Sequence, residues 1–598
     1  MRWNLRQSDP ERVQALAKAI SGFPAFRNSQ DATHIIASLL LARGIQTAEA
    51  AERFLSPSIE HLHSPYLMTG MRAAIERLEA AIERKEGILV YGDYDVDGTT
   101  AVVILKTAIE LCGGHADFHV PHRIREGYDL RGDVIERAAS AGVRLVISVD
   151  SGTRAFAAAE SARRAGVDLI ITDHHLPGAD GLPQAYAVVN PNQPGCEYPC
   201  KSLCGAGIAF KVAQALIAKR LPHRDQKRLL LSFMKIAAIA TIADSVPLFD
   251  ENRVIASLGL NALRSAVNPG LKALLEVAQL GGKPLSSEEV AFRIAPRINA
   301  AGRMDIASDV VDLFTVKDPA RAQEIAQRLD KLNSERQEEE RRIVDAIEQR
   351  LTEDAALRES YCMVIDGKGW HRGVIGITAT RVVERYGRPA IVVAVEGEEA
   401  HGSGRSIAAF HLLNALESCP QLFTRYGGHS HAVGLSLPSS RVPELRDRLD
   451  NYARLRLSLA DLEPVVTTDA RLPLDCVTPQ LLESLELLEP FGAGQHEPVF
   501  CASDVRIAAA PKFVKEKHVR LKLSPNGAAV SGWRRSLTYD AVGWRLAEQA
   551  QKERLLPGDV LEIAFTLGRN DHPDHGGVEL TLKDFKALRQ ASATVTAS

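Results

Sequence analysis

An apolar run passes into three alternating acids at Val90-Tyr91-Gly92-Asp93-Tyr94-Asp95-Val96-Asp97-Gly98-Thr99-Thr100. The apolar residues predict a buried strand, and the residues after Gly98 predict a helix. Alternate residues of an extended segment share a face, so we expect Asp93, Asp95 and Asp97 to point the same way. Crowded carboxylates repel one another unless a cation neutralises them. The stretch therefore indicates either a metal site or a solvated Asp-rich turn. A calcium loop is disfavoured because the later bidentate Glu is absent.

Acids also follow two later apolar runs. Asp150 comes directly after the run Leu145 to Val149, and Asp173-His174-His175 come after Leu169 to Ile171. Binding sites in parallel α/β sheets form at the carboxyl ends of the strands, so we expect these groups to meet at one edge. A lone acid after a strand is usually a helix cap, but three such endings favour a metal site. Asp244 is a fourth acid in apolar surroundings, where burial is costly without a partner or a metal.

The fold class that these patterns predict is α/β. Four apolar runs, the last at Ala187 to Val189, alternate with Ala-rich helical stretches, which is typical of a doubly wound parallel sheet. The stretch Asp318 to Glu353 lacks Gly and carries apolar residues on a helical period, so it predicts one long helix. We expect an N-terminal helical segment (1–80), a parallel-sheet domain (81–315), a long connecting helix (316–356), a second α/β domain (357–460), a C-terminal β-barrel (461–590) and a disordered tail (591–598).

Composition narrows the class of protein. The 598 residues indicate three or four domains at about 150 residues per domain. Hydrophobic residues make up 45% and charged residues 25%, which excludes a disordered or collagen-like chain. The formal net charge of −3 excludes a protein that coats DNA through bulk positive charge. Few cysteines, no signal-peptide core and no apolar stretch long enough for a membrane span lead us to expect a cytoplasmic protein.

Together these motifs resemble the DHH phosphoesterase superfamily, and within it the RecJ-type exonucleases. The resemblance rests first on Asp173-His174-His175 and on the acidic run that ends at Gly98. It implies a DHH domain, a DHH-associated domain and an OB-like barrel. Further matching segments are Arg43-Gly44-Ile45, Phe54-Leu55-Ser56-Pro57, Leu203-Cys204-Gly205-Ala206-Gly207, Ala295-Pro296-Arg297-Ile298-Asn299-Ala300-Ala301-Gly302-Arg303, Leu332-Asn333, Arg336-Gln337, Gly402-Ser403-Gly404-Arg405-Ser406, Gly427-Gly428-His429 and Pro490-Phe491-Gly492-Ala493-Gly494.

The resemblance implies a centre with two divalent cations, Mn²⁺ or Mg²⁺. An oxygen-rich ligand set with one imidazole suits these ions better than structural zinc. Where some DHH phosphatases carry a His, this chain has Tyr91, which implies a more open first metal site. The implied roles are metal ligands for Asp95, Asp97, Asp150 (bridging), His174 and Asp244, support for Asp93, and contact with the substrate phosphate for His175.

The resemblance also implies residues that bind the DNA strand. Arg405 with Ser403, in a glycine-rich turn, is expected near a 5′-phosphate, with Arg123 and Tyr128 as partners. Arginine suits this task because its planar fork matches phosphate oxygens, although an isolated surface arginine is usually a solvated charge. We expect further contacts to the scissile or neighbouring phosphates from Arg297, Asn299, Arg303 and His429.

The C-terminal strands carry a basic stripe interleaved with aromatic residues. This pattern favours single-strand binding, in which charges follow the phosphates and rings stack on bases, although an edge strand protected by lysines would look similar. The Trp533-Arg534-Arg535 segment continues the pattern. The stripe comprises Lys512, Lys515, Lys517, Arg520 and Lys522.

The expected function is a single-stranded-DNA-specific 5′→3′ exonuclease that releases 5′-mononucleotides by a two-metal mechanism in recombination and repair. The resemblance implies a monomer that works with a helicase and a single-strand-binding protein. The alternatives are a DHH phosphodiesterase for short oligonucleotides or cyclic dinucleotides, and a non-catalytic DNA-binding scaffold. The spacing of Cys196, Cys200 and Cys204 matches neither a zinc ribbon nor a ferredoxin, so we interpret them as reduced thiols.

Overall fold

The computed structural model describes residues 1–26, 30–123, 125–127, 129–304, 307–526, 538–570 and 577–588. The chain forms two compact units, one of residues 59–463 and one that joins residues 1–58 to 464–598. Tyr128, the segment Trp533-Arg534-Arg535 and the tail 591–598 lie outside the described residues.

The larger unit contains the predicted parallel sheet. Its three central strands are buried on both faces along most of their length, which explains why they read as continuous apolar runs. Parallel pairing in register places Tyr91 beside Ser148 and Val149 beside Thr172, so the strand ends face one edge. In spatial order the strands are Ala116–His119, Gly87–Tyr91, Val143–Val149, Asp168–Thr172 and Ala187–Val189.

Helices cover this sheet and extend it into a helical region. Helix Val96–Leu111, which follows strand Gly87–Tyr91, has an apolar and largely buried surface, as expected for a helix that packs on several neighbours. The described helices before residue 318 in this unit are Met71–Glu83, Val96–Leu111, Gly132–Ser140, Phe156–Ala165, Gly205–Arg220, His223–Ala243, Asp250–Leu263, Pro269–Val277, Ser287–Glu289, Ala295–Met304 and Ser308–Thr315, with a π-helical turn at Val290–Ile294.

The predicted long helix is present as Pro319–Glu353. Asp318 caps its first turn by accepting from Ala320 N and Arg321 N, and proline at the first position fits a helix start. Its buried residues include Ile325, Leu329 and Ile347, which lie on one stripe. The helix therefore packs through a narrow apolar seam and leaves a charged face outward.

The second α/β region of this unit is built on a mixed five-stranded sheet. Its spatial strand order is Arg425–Gly428, Ala432–Pro438, Glu399–Arg405, Ala390–Glu396 and Met363–Lys368. The helices of this region are Ala355–Arg358, Ile375–Tyr386, Leu412–Glu417 and Val442–Arg454.

The smaller unit contains the predicted OB-like sheet. Five of its strands each pair with the next strand in space, and the fifth pairs again with the first. The strands therefore close a ring of the kind found in small barrels. In ring order these strands are Phe500–Ile507, Val560–Asn570, Gly577–Ala587, Tyr539–Gly543 and His518–Pro525. Its other strands are Arg2–Leu5, Val465–Thr468, Ala470–Arg471 and Lys512–Val514, and its helices are Pro10–Ile20, Gln30–Ala42, Ala48–Leu55, Pro479–Glu486 and Ala547–Lys552.

The N-terminal residues divide differently from the expected segment 1–80. Residues 1–58 share a hydrophobic core with the C-terminal strands, and Arg2–Leu5 pairs in parallel with Val465–Thr468. Arg43 binds across the same core through Gln495 Oε1 (2.9 Å) and His496 O (2.8 Å). Residues 59–80 belong instead to the larger unit. Among the helices of the described ranges, none has both the length and the apolar character needed to cross a bilayer.

Candidate metal centre and nucleic-acid contacts

The first acidic run forms a strand–loop–helix turn and is not extended throughout. The strand ends at Tyr91, and a helix begins at Val96 with Asp95 as its cap. Asp95 Oδ1 accepts from Gly98 N at 3.0 Å, and Asp97 lies in the first turn. The expectation that these acids alternate along an extended segment is therefore wrong. The Asp95 side chain accepts from a free amide of the helix start, so the helix begins before Asp97. The turn nevertheless directs the acids to the carboxyl edge of the sheet.

Asp97 is held by the start of a second helix. Its two carboxylate oxygens accept from Gly205 N at 2.6 Å and from Ala206 N at 2.7 Å. These amides are the first of helix Gly205–Arg220, where unpaired N–H groups and the helix dipole favour an anion. The Asp97 carboxylate is thereby fixed in position although it is only 2% exposed.

Asp150 adopts a strained backbone immediately after its strand. Its φ of 58° lies in the left-handed region, which non-glycine residues seldom occupy. A Cβ on Gly205 would lie 2.4 Å from Asp150 Cβ, so the close approach of these two segments requires glycine. Asp150 Oδ1 lies 3.2 Å from His174 Nε2 and has no hydrogen-bond partner although it is buried.

The two histidines occupy different environments. His174 Nε2 lies 3.9 Å from both Asp97 Oδ2 and Asp244 Oδ2, and burial lowers the pKa of His174. His175 Nδ1 lies 2.7 Å from Asp173 Oδ1. Burial alone would lower the pKa of His175, but the Asp173 carboxylate outweighs burial and raises it to about 9. His174 is therefore a neutral ligand candidate, whereas His175 is a cation at neutral pH.

Asp173 is a site residue that the sequence analysis did not assign. Its oxygens accept from Thr153 N (2.9 Å), His174 N (2.8 Å) and His175 N (3.2 Å) in addition to the His175 ring. These bonds fix both histidines at the end of the strand. The signal for this role was its place directly before the histidine pair.

Three overlapping sets of side chains place their ligand atoms within 4.8 Å of one another. Asp244 enters from the end of helix His223–Ala243, which it terminates. Asp93, expected only to support the site, is part of one set and carries a buried oxygen without a hydrogen-bond partner. The sets are Asp93 with Asp95 and Asp150, Asp97 with His174 and Asp244, and Asp150 with His174 and His175.

The electrostatics of the cluster favour a bound cation. Burial and neighbouring carboxylates raise the pKa of Asp93, Asp95 and Asp150, and they raise that of Asp244 to about 8. Such groups shed their protons readily only if a positive charge offsets their repulsion. Buried oxygens without hydrogen-bond partners and one neutral imidazole fit Mn²⁺ or Mg²⁺. The residues present therefore fit a divalent metal centre.

Three arginines from separate segments form a basic cluster beside these acids. Burial, then the charge of Arg123, lowers the pKa of Arg303 to about 9, and Arg405 contributes further. The Arg123 guanidinium lies 4.9 Å from the ring centre of Tyr94. Arg303 Nη1 donates to Gly373 O at 3.0 Å, which ties the two regions of the larger unit together. Like charges crowd in this way where an anion is bound.

Ser403 and Arg405 lie on strand Glu399–Arg405, beside the start of helix Ile375–Tyr386. Arg405 Nη1 donates to Ser403 Oγ at 3.3 Å, and burial lowers the pKa of Arg405. A Cβ on Gly376 would lie 3.0 Å from Ser403 Oγ and 3.5 Å from Arg405 Nη2, so the helix start borders both groups. Burial lowers the pKa of His429, and the nearby charges of His431 and Arg405 lower it further.

Two residues that are expected to contact the DNA strand also make hydrogen bonds within the protein. Arg297 Nε donates to Asp330 Oδ1 on the long helix at 2.8 Å. Asn299 Oδ1 accepts from Val96 N at 3.2 Å and so supports the helix that Asp95 caps.

Tyr91 is fully buried, and its hydroxyl donates to Asp129 O at 3.2 Å. Tyr91 thus fills the sheet core and tethers the loop that carries Arg123.

The basic stripe lies on the surface of the smaller unit. Strand His518–Pro525 turns Val519 and Leu521 inward, which leaves its basic residues exposed. Trp544, which the sequence analysis did not assign, is 58% exposed and its ring lies 4.9 Å from that of His518. The exposed basic residues are Lys512, Lys515, Lys517, Arg520 and Lys522.

The three closely spaced cysteines are buried free thiols. Cys204 caps helix Gly205–Arg220 by accepting from Gly207 N at 3.4 Å. Cys196 Sγ accepts from Thr69 N at 3.5 Å. Within the described ranges, no candidate metal cluster includes a cysteine. The three residues therefore serve packing and helix capping.

Comparisons with known proteins agree with this architecture. Three family models match: the DHH family N-terminal domain over residues 87–241, the DHHA1 domain over 359–455 and the RecJ OB domain over 468–584. The chain is 35% identical to the single-stranded-DNA-specific exonuclease RecJ of Bacillus subtilis, covering 98% of this chain and 70% of that protein. It is likewise 35% identical to RecJ of Dickeya dadantii, covering 92% of this chain and 95% of that protein.

Solved structures match over the same length. RecJ from Thermus thermophilus in complex with Mn²⁺ superposes with a TM-score of 0.80 at 28% identity, covering 98% of this chain and 80% of that chain. The Mg²⁺ complex from the same organism gives a TM-score of 0.74 at 27% identity, with 98% and 79% covered. At 35% identity over 98% and 92% of its length to two curated relatives, this chain belongs to the RecJ family.

Proposed function

We propose that this chain is a metal-dependent exodeoxyribonuclease that hydrolyses single-stranded DNA from the 5′ end and releases 5′-mononucleotides. The observation that carries this proposal is that acids and histidines from separate strands and helices converge in three overlapping sets, two of which share Asp150. Membership of the RecJ family supports it, because relatives of near full length are named single-stranded-DNA-specific exonucleases.

The metal centre is proposed to hold two divalent cations, Mn²⁺ or Mg²⁺. When bound, such ions act as Lewis acids on a phosphodiester and acidify water. Their ligands would be Asp95, Asp97, Asp150, His174 and Asp244. The chain's own contribution is to keep these groups fixed, through the amides that hold Asp97 and the bonds that hold the histidines.

His175 is proposed to contact the scissile phosphate. Its raised pKa keeps the ring protonated at neutral pH, so it can donate a charge-assisted hydrogen bond to a phosphate oxygen. Asp173 Oδ1 lies 2.7 Å from the ring Nδ1 and so fixes the orientation of the imidazole. Negative charge that builds up on the phosphate during hydrolysis is stabilised by a donor fixed in this way.

Arg405 and Ser403, with Arg123, are proposed to bind the terminal 5′-phosphate, and the adjacent Arg303 is proposed to contact the scissile or a neighbouring phosphate. A terminal phosphate carries more charge than an internal one, so a crowded group of arginines distinguishes an end from the middle of a strand. Burial, and then the charge of Arg123, lowers the pKa values of Arg303 and Arg405, and a bound anion would offset both effects.

The exposed stripe of the smaller unit is proposed to bind the rest of the strand by charge and base stacking. We also propose a role in recombination and repair and a cytoplasmic location, and, from the family resemblance, a monomer that acts alongside a helicase and a single-strand-binding protein.

The test uses a 5′-labelled single strand, its duplex and a dinucleotide, each incubated with Mn²⁺, Mg²⁺ or EDTA. We expect metal-dependent release of mononucleotides from the long single strand alone. Asp150→Ala should abolish turnover and leave DNA binding largely intact. Cleavage of the dinucleotide alone would indicate an oligonucleotide phosphodiesterase, and binding without cleavage would indicate a scaffold; either result contradicts the proposal.

A further inference from the structure

A buried ion pair lies behind the metal centre. Lys211 and Glu251 are both fully buried, and Lys211 Nζ donates to Glu251 Oε1 at 2.7 Å. Lys211 Nζ also donates to His63 O at 2.7 Å, and His63 N donates to Glu251 Oε1 at 2.8 Å. The Tyr198 hydroxyl donates to Glu251 Oε2. The pair thus joins four segments that are distant in the chain.

Two of these segments lead to a proposed metal ligand. Lys211 lies on helix Gly205–Arg220, about 9 Å along the axis from the amides that hold Asp97. Glu251 lies in the first turn of the helix that begins at Asp250, directly after the loop that follows Asp244. The pair therefore links the support of one acid to the loop beyond another.

The loop after Asp244 needs this support. Ser245 and Asp250, at its two ends, have φ values of 57° and 48°, a strained conformation for residues with side chains. Asn252 Nδ2 donates to Pro247 O (3.0 Å) within the loop and to Ser202 O (2.7 Å) in the segment before Gly205. Strain of this kind persists only where the surroundings fix the backbone.

General stability is a weak reason for such a pair. A buried ion pair is often no more stabilising than apolar residues of the same volume, and its best-attested use is to fix the register of packed elements. Here the elements whose register it fixes are the ones that set the distance between Asp97 and Asp244.

We propose that Lys211 and Glu251, with Tyr198 and Asn252, form a positioning unit that sets the spacing of Asp97 and Asp244 around a divalent cation. The inference rests on the proposed metal centre. Residues that hold metal ligands in place from outside the coordination shell typically change metal affinity by about 10-fold to 100-fold when removed.

The test compares the double variant Lys211→Met/Glu251→Leu with wild type by Mn²⁺ titration, followed by electron paramagnetic resonance, and by thermal unfolding in EDTA. The apolar pair keeps the volume and avoids an unpaired buried charge. We expect Mn²⁺ affinity to fall by at least about 10-fold while the unfolding temperature in EDTA stays close to that of wild type. Excess Mn²⁺ should restore turnover on single-stranded DNA.

The matched control is Lys219→Met/Glu79→Gln, which removes a more exposed ion pair (2.6 Å) between Lys219 on the same helix and Glu79 on helix Met71–Glu83, and it should leave Mn²⁺ affinity unchanged. Tyr198→Phe removes one hydroxyl and serves if the double variant fails to fold; it too should weaken Mn²⁺ binding. Wild-type affinity in a folded double variant, or in Tyr198→Phe should that double variant not fold, would overturn the positioning unit alone. Failure of the wild-type chain to bind Mn²⁺ would overturn the metal centre itself.

Discussion

Among the acids of the site, Asp173 has the opposite electrostatic behaviour to its neighbours. Burial would raise the pKa of Asp173, but hydrogen bonds from His175 and Thr153 outweigh burial and lower it well below its ordinary range. Burial and neighbouring carboxylates raise the pKa values of Asp93 and Asp150, and the backbone hydrogen bond from Tyr94 to Asp93 does not outweigh them. Asp173 is therefore ionised with or without a metal, and its task is to hold the histidines.

Asp173→Asn should weaken catalysis through His175. Without the carboxylate charge, burial dominates and the pKa of His175 falls from about 9 toward neutrality or below, so the ring loses its proton at physiological pH. We expect kcat/KM to fall by about 10-fold to 100-fold at neutral pH and to recover partly in acid, as measured by a pH–rate profile. A profile with the wild-type shape would contradict the role given to His175.

Individual residues differ in how far the sequence predicts them. The acids after strands were predictable because strand ends meet at one edge of a parallel sheet. The engagement of Arg297 with Asp330 and of Asn299 with Val96 was not, because each bond joins residues far apart in the chain. Residue type alone does not show which protein groups a side chain contacts.

At the scale of elements, the start of helix Ile375–Tyr386 lies against the strand that carries Ser403 and Arg405. Arg405→Ala removes a charge-assisted donor worth about 1.5–3 kcal/mol. We expect kcat/KM for a 5′-phosphorylated strand to fall by roughly 10-fold to 150-fold, while a 5′-hydroxyl strand is affected little.

The matched control for this prediction is Arg385→Ala, on the same helix but paired with Glu348 on the long helix. It should leave the ratio between the two strands unchanged. Equal losses on phosphorylated and unphosphorylated strands in Arg405→Ala would refute end recognition by this element.

The exposed face of the C-terminal sheet offers a second test. Trp544 lies beside His518 at the edge of the basic stripe, and one stacked base is worth about 1–3 kcal/mol. Trp544→Ala should raise the Kd for a long single strand by roughly 5-fold to 150-fold, measured by fluorescence anisotropy, with dinucleotide binding unchanged. Leu556→Ala, an exposed apolar residue of the same unit, is the control. Unchanged binding by Trp544→Ala would remove stacking from the account.

Long elements with a clear period were predicted well, and short ones were not. The helix Pro319–Glu353 follows from its apolar stripe and its capping Asp318. The strand Ala116–His119 was missed because it has four residues, two of them Asp117 and His119, and lies at the sheet edge. Its pairing with Gly87–Tyr91 stabilises it where its own sequence does not.

At the scale of the whole molecule, the chain returns at its end to pack on its beginning. Trp3 Nε1 donates to Asp584 Oδ2 at 2.7 Å across nearly the full sequence. Local patterns carry no information about such contacts, so the segment 1–80 was expected as one piece although it divides at Ser58.

Removal of metal should make stability depend on pH. The pKa of Asp244 rises from 3.8 to about 8, and those of Asp93, Asp95 and Asp150 rise with it. The metal-free folded state then keeps protons that the unfolded chain has released, so its stability falls as pH rises through this window. We expect the unfolding temperature in EDTA to fall as pH rises. The increase in unfolding temperature that Mn²⁺ gives should grow over the same range.

Asp244→Asn should flatten this dependence. Asp133→Asn is the control, because arginine partners lower the pKa of Asp133 to about 2 and its effect has the opposite sign. An EDTA curve that rises with pH over the same window would contradict the electrostatics assigned to the cluster.

Anomalous diffraction from crystals grown with Mn²⁺ tests the central claim most directly. The account predicts two manganese peaks between the side chains that converge from separate strands and helices, and it predicts loss of at least one peak in Asp150→Ala. Peaks only at the surface, or an undiminished pair in that variant, would contradict it. The expected ligands are Asp95, Asp97, Asp150, His174 and Asp244.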